Sequence, residues 1–131
     1  MVIDTSALIA IFLGEPERAV FLQRILQADA RRVSAANLLE TGIVLEARRG
    51  EAAGREFDLF TLRTELEIVS VDRDQTEIAR SAWRKYGKGR HRAGLNFGDC
   101  FAYALAKLYS EPLLAKGEDF RGTDIDVLPV R

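Results

Sequence analysis

The amino-acid sequence predicts an α/β domain built on a parallel sheet covered on both faces. Three observations carry that expectation. Short apolar, strand-like runs alternate along the chain with longer segments of helical periodicity. One of those segments, from Asn96 to Tyr109, is apolar almost all round, as a helix packed centrally must be. The chain has 131 residues, 47% of them hydrophobic, which suits one compact core and predicts a single domain over 1–131.

Val2-Ile3 forms a very short first strand and leads into a helix from about Ser6 to Leu13. Glu15-Pro16 opens a second helix, proline being suited to a first turn. Arg32-Val33-Ser34 is a second strand, and Ala35 to Arg49 is helical until Gly50 stops it. A further amphipathic helix covers about Glu51 to Thr64, and a third strand lies within Leu66 to Val71. Asp72 then starts a helix that runs to Tyr86 and ends at Gly87. After a glycine-punctuated basic loop and the apolar helix, Pro112 to Ala115 supplies a fourth strand and Ile125 to Val130 a fifth. In such sheets ligands bind at the carboxyl ends of the strands.

Nineteen basic and twenty acidic side chains give a net charge of -1, so no global positive field draws the protein to a polyanion. The single cysteine, Cys100, has no internal disulfide partner, in agreement with a reducing compartment. Met1 to Asp4 carries no positive charge on its side chains, and Ala7 to Leu13 is too short for a signal peptide or a membrane span. These features predict a cytoplasmic protein without membrane attachment.

Most acids sit among polar neighbours and read as solvated surface charge. Four do not. Asp4 directly follows the first strand and precedes an apolar stretch. Glu40 is the only charge between Arg32 and Glu46, and Asp99 the only one between Arg92 and Lys107. Asp119 follows the fourth strand within Lys116-Gly117-Glu118-Asp119-Phe120. An isolated carboxylate in apolar surroundings demands a partner, whether hydrogen bonds, a cation or a metal. Oxygen ligands without histidine or cysteine select a hard ion, Mg²⁺ with Mn²⁺ as substitute, over zinc. Taken singly, Asp4 also reads as the cap of the helix beginning near Ser6. Thr5 and Ser6 add hydroxyls beside it, and Asn96 and Tyr103 flank Asp99 by one helical turn on either side.

With these residues in place, the chain resembles the VapC-type PIN-domain toxins, the ribonucleases of VapBC toxin-antitoxin pairs. The carrying segments are Met1 to Leu8, Glu40, Asn96-Phe97-Gly98-Asp99-Cys100, Leu113 to Phe120 and Thr123-Asp124-Ile125, in the expected order and spacing over nearly the whole chain. The resemblance implies a three-layer α/β/α sandwich around a mainly parallel five-stranded sheet. It also implies that Asp4, Glu40, Asp99 and Asp119 are the catalytic and metal-binding acids, with Asp4 and Asp99 the principal ligands. Glu118 and Asp124 stand near enough to take or share the place of Asp119. Its further implications are Mg²⁺-dependent hydrolysis of RNA, a VapB-type antitoxin as inhibitor, and a homodimer within a larger complex.

Phosphodiester hydrolysis needs an activated water and relief of charge on the phosphate, and a carboxylate-held cation serves both. A negative cleft repels RNA, so a separate basic surface is required. Arg84 to Arg92 contains Lys88, Arg90 and Arg92 without an acid, beside Trp83 and Tyr86. The same loop also reads as solvated charge or as an antitoxin contact, and Trp83 as core. Lys116 is placed either to reach a phosphate or to pair with an acid. His91, the one histidine, anchors neither a triad nor a zinc site. An aspartyl-phosphate phosphatase would need an acid where Ser6 stands, and no P-loop motif is present. Two readings compete: a PIN-like module that binds RNA or protein without cutting, and a housekeeping RNA-processing nuclease.

Overall fold

Apolar side chains at alternate positions of very short strands organise the molecule. The computed structural model describes residues 1–130. In chain order the elements are β1 (Val2–Ile3), α1 (Thr5–Phe12), α2 (Arg18–Gln27), β2 (Arg32–Ser34), α3 (Ala35–Arg49), α4 (Glu51–Arg63), β3 (Glu67–Val69), α5 (Arg73–Tyr86), α6 (Phe97–Tyr109), β4 (Leu113–Leu114) and a 3₁₀ turn (Asp119–Gly122). The strands form one parallel sheet in the order β3-β2-β1-β4.

Because neighbouring residues of a strand face opposite ways, each strand feeds two cores. Ile3 and Leu114 join Leu8, Phe21, Ile25, Leu45 and Phe57 on the α1–α4 side. Val2 and Leu113 join Ala82, Leu95, Tyr103 and Leu105 on the α5–α6 side. The result is the expected α/β/α sandwich, with four strands rather than five. Residues Ile125 to Val130 meet the sheet at one isolated parallel bridge, Leu113 to Val127. Leu113 N donates to Asp126 O and Leu128 N to Leu113 O, both at 2.9 Å. Pro129 has no N–H to continue the ladder, and β4 is only two residues long.

Helix starts follow their capping side chains. Asp4, Ser34, Asp72 and Asn96 each accept a hydrogen bond from a backbone N–H of the helix they open. The second helix begins two residues later than Pro16, which stays in a turn after Gly14 at φ +67°. Trp83 is not core: Ala82 takes the buried position, and the indole one residue on is 44% exposed. No helix among the described residues is long and apolar enough to cross a membrane.

The amino ends of the strands are tied by charge. Arg32 donates to both oxygens of Glu111, at 2.5 and 2.6 Å, and contacts Glu67 at 2.9 Å, while the amino group of Met1 lies 3.2 Å from Glu111. Burial alone would raise the Glu111 carboxyl, but hydrogen bonds from Arg32 and the terminal amine outweigh it and hold the group below its ordinary 4.5. An acid with a depressed folded value stabilises the fold above its unfolded value, and that contribution disappears as pH falls. Glu111→Gln should therefore cost about 2 kcal/mol at neutral pH. In urea titrations the gap to the parent protein should narrow as pH drops through 4.5.

Candidate active site

At the opposite end of the sheet, where the strands finish, the polar groups are of a different kind. Asp4 follows β1 directly and is 3% exposed. One of its oxygens, Oδ2, accepts from Ser6 N at 3.0 Å, so the carboxylate caps α1 as well as facing the site. Asp99 lies in the first turn of α6 within a reciprocal capping box: Asn96 N donates to Asp99 Oδ2 at 3.0 Å and Asp99 N to Asn96 Oδ1 at 2.9 Å. Each acid is thus oriented by a backbone N–H on its Oδ2. The N-termini of α1, which Asp4 caps, and of α6, whose first turn carries Asp99, contribute positive potential.

Glu40 enters from the second turn of α3, which packs on both α1 and α6. Thr5 Oγ1 donates to Glu40 Oε1 at 2.6 Å. Asn37 Nδ2 lies 3.4 Å from the same oxygen and donates to Gly98 O at 3.0 Å. The Ser6 hydroxyl, which also helps hold the Asp4 carboxylate, accepts from Lys116 N at 2.9 Å and so ties the loop after β4 to α1.

The electrostatics follow from burial and crowding. Burial lifts the Asp4 carboxyl from 3.8 to about 7 against the lowering bonds from Ser6, and the charges of Asp99 and Glu40 push it further up. Asp99 is raised as well, first by burial and then by Asp119 and Glu40. Among the described residues no lysine or arginine forms an ion pair with Asp4, Glu40, Asp99 or Asp119. Nor do any three acidic, histidine or cysteine side chains among them form a ready-made cage for an ion. Repulsion thus reaches Asp4 from Asp99 and Glu40, and Asp99 from Asp119 and Glu40. An oxygen-only donor set of this kind fits a hard divalent cation.

The other singled-out residues divide. Asp119 is exposed at the start of the 3₁₀ turn, yet its charge is felt at Asp99. Asp124 instead accepts from Tyr103 Oη and from Lys107 Nζ, the latter at 2.7 Å, and these bonds hold it below its ordinary value. Glu118 lies 3.4 Å from Arg121. Lys116 Nζ is paired with Glu15 at 2.9 Å and Glu17 at 3.5 Å, away from the four acids. Lys88, Arg90 and Arg92 are exposed on a loop closed by Lys88 N to Leu95 O and Leu95 N to Tyr86 O, both 2.9 Å. The Arg90 guanidinium stacks 4.6 Å from the Trp83 ring centroid. Cys100 is buried, and burial followed by Asp99 pushes its thiol up, as inert packing requires.

The sequence did not single out Asn37, and Gly98 entered only within the Asn96 to Cys100 segment. Asn37 is fully buried, one helical turn before Glu40 on the same face, and that spacing was its only signal.

Comparison with known proteins gives one consistent result. The family described as PIN domain matches residues 1–126. A protein named Ribonuclease VapC from Mycolicibacterium smegmatis is 55% identical over 125 residues, covering 95% of this chain and 97% of the relative. Ribonuclease VapC30 of Mycobacterium tuberculosis is 54% identical, covering 95% of each. Among solved structures, Mycobacterium tuberculosis VapC20, described as a Sarcin-Ricin loop cleaving toxin, shares the fold with a TM-score of 0.78 at 20% identity over 97% of each chain. A toxin-antitoxin complex from Klebsiella pneumoniae does so with a TM-score of 0.73 at 21% identity, over 99% of this chain and 97% of its own.

A carboxyl that holds its proton more tightly when folded makes the metal-free protein less stable as pH rises from its unfolded value toward the folded one. For Asp4 that window is 3.8 to about 7. Asp4→Asn keeps the helix cap and removes the charge. It should abolish this part of the decline and raise the metal-free melting midpoint above pH 7 by several degrees, measured by calorimetry across that range.

Proposed function

The chain belongs to the PIN-domain family, and on that premise we propose that it is a metal-dependent ribonuclease, the toxin of a VapBC-type pair, acting through Asp4, Glu40, Asp99 and Asp119. The observation that supports this reading is the Asp4 carboxyl buried at the end of β1, with Asp99 and Glu40 near enough to disfavour its charge and no basic ion-pair partner among the described residues. Metal dependence is typical of the family. Mg²⁺, or Mn²⁺ in its place, would supply Lewis-acid relief of phosphoryl charge and lower the pKa of water.

Asp4 and Asp99 would hold the ion, each oriented by a backbone N–H on its Oδ2, from Ser6 and from Asn96. The Thr5 hydroxyl fixes Glu40 through Oε1, and the Glu40 carboxylate would hold the ion or serve as proton acceptor. Asp119 adds charge at the rim, and Asn96 keeps Asp99 oriented. Asp124, engaged by Lys107 and Tyr103, supports the wall rather than the ion.

RNA would be gripped outside this negative cleft by Lys88, Arg90 and Arg92, which lack acidic partners among the described residues. Lys116 joins them only by leaving Glu15 and Glu17. A VapB-type antitoxin is the expected inhibitor, and several structures of the same fold are toxin-antitoxin complexes. The exposed apolar side chains of Leu39, Ile43 and Phe97 favour a homodimer within such a complex. The whole unit, a single domain over 1–131, would work in the cytoplasm.

Purified protein should cut RNA with Mg²⁺ or Mn²⁺ and stop on chelation. Asp4→Asn and Asp99→Asn should each slow cleavage on the order of 100-fold or more. Cleavage that survives chelation would contradict the proposal. Growth arrest on expression, relieved by the cognate antitoxin, would separate a toxin from a housekeeping nuclease.

A further inference from the structure

Glu40 reaches the acidic cleft from a helix other than the one that carries Asp99, so something must set the distance between them. Two features of the contact between α3 and α6 do so. Asn37 is 0% exposed, and its single amide nitrogen serves both helices: it donates to Gly98 O at 3.0 Å and lies 3.4 Å from Glu40 Oε1. Asn37 Oδ1 is buried with no partner. A leucine of similar size would fill this space without stranding a polar oxygen, so packing does not account for an asparagine here. The two acceptors that need its NH₂ group do.

Gly98 supplies the other half. It lies within α6 and outside the left-handed region, so its backbone does not call for glycine. Space does: a Cβ at this position would lie 2.6 Å from Glu40 Oε2 and 2.8 Å from Glu40 Oε1. The carboxylate rests where a side chain at residue 98 would be, one residue before Asp99.

We infer that Asn37 and Gly98 are positioning residues for Glu40, one tying α3 to the first turn of α6 and the other opening the space that lets the Glu40 carboxylate stand beside Asp99. This inference rests on Glu40 belonging to the cation site proposed above. Neither residue need touch RNA.

The test is Mn²⁺ affinity by isothermal titration, beside the metal-free melting midpoint, for Asn37→Ala, Gly98→Ala, Glu40→Gln and Gln75→Ala. Gln75 is an equally buried amide that donates to Ser70 O at 2.8 Å at the start of α5, outside the acid cluster. Asn37→Ala and Gly98→Ala should each weaken Mn²⁺ binding about 10- to 100-fold, the range seen when groups that orient metal ligands are removed. Gly98→Ala should melt close to the parent protein, because the atoms it displaces are the end of a flexible side chain. Gln75→Ala should lower the melting midpoint and leave affinity unchanged, which separates positioning from general destabilisation. If both variants bind Mn²⁺ like the parent while Glu40→Gln binds weakly, the positioning role is wrong and the cation site stands. If the parent binds no Mn²⁺, or Glu40→Gln binds it unchanged, Glu40 has no place in a cation site and this inference falls with it.

Discussion

A carboxyl group taken out of water beside other carboxyls is costly, and the rest of the active end is organised around it. Asp4 is almost wholly buried, and Asp99 and Glu40 stand close enough to disfavour its charged form. Two helix N-termini and a threonine hydroxyl soften that repulsion without neutralising it. A divalent cation would complete the balance, since it meets several carboxylates at once where a lysine would meet one.

The parallel sheet makes this economy possible by separating two kinds of charge. At the amino ends of the strands, Arg32, Glu111, Glu67 and the terminal amine satisfy one another. At the carboxyl ends, backbone turns into helices at Asp4 and Ser34, and the caps are side chains that accept hydrogen bonds. Acids are the natural occupants of that end, because helix N–H groups point towards it. Stability is secured at one end of the sheet, and the other is left short of positive charge.

Much of this was legible in the sequence where contrast was strong. Arg32 to Ser34 and Ala35 to Arg49 fall where the pattern places them, and Gly50 stops the helix as expected, while the Ser34 side chain caps its start. Asp4, Glu40 and Asp99 stood out as lone charges in apolar runs. Asn37 did not, since an uncharged amide in an apolar helix gives no such contrast, although its burial is complete. The start of α2 was misplaced because a proline suited to a first helical turn is equally suited to the turn before it. The fifth strand shrank to one bridge because pairing depends on a partner only two residues long. Trp83 was misread as core because the helix period leaves room for either it or Ala82 to face inward. Spacing alone could not separate Asp119 from Asp124, whereas the fold commits Asp124 to Lys107 and Tyr103.

If these acids are gathered for a cation, anomalous diffraction from crystals soaked in Mn²⁺ should reveal it. The expected result is a peak beside Asp4, Asp99 and Glu40. A peak elsewhere, or none at full soaking, with the three carboxyls unmoved, would contradict it.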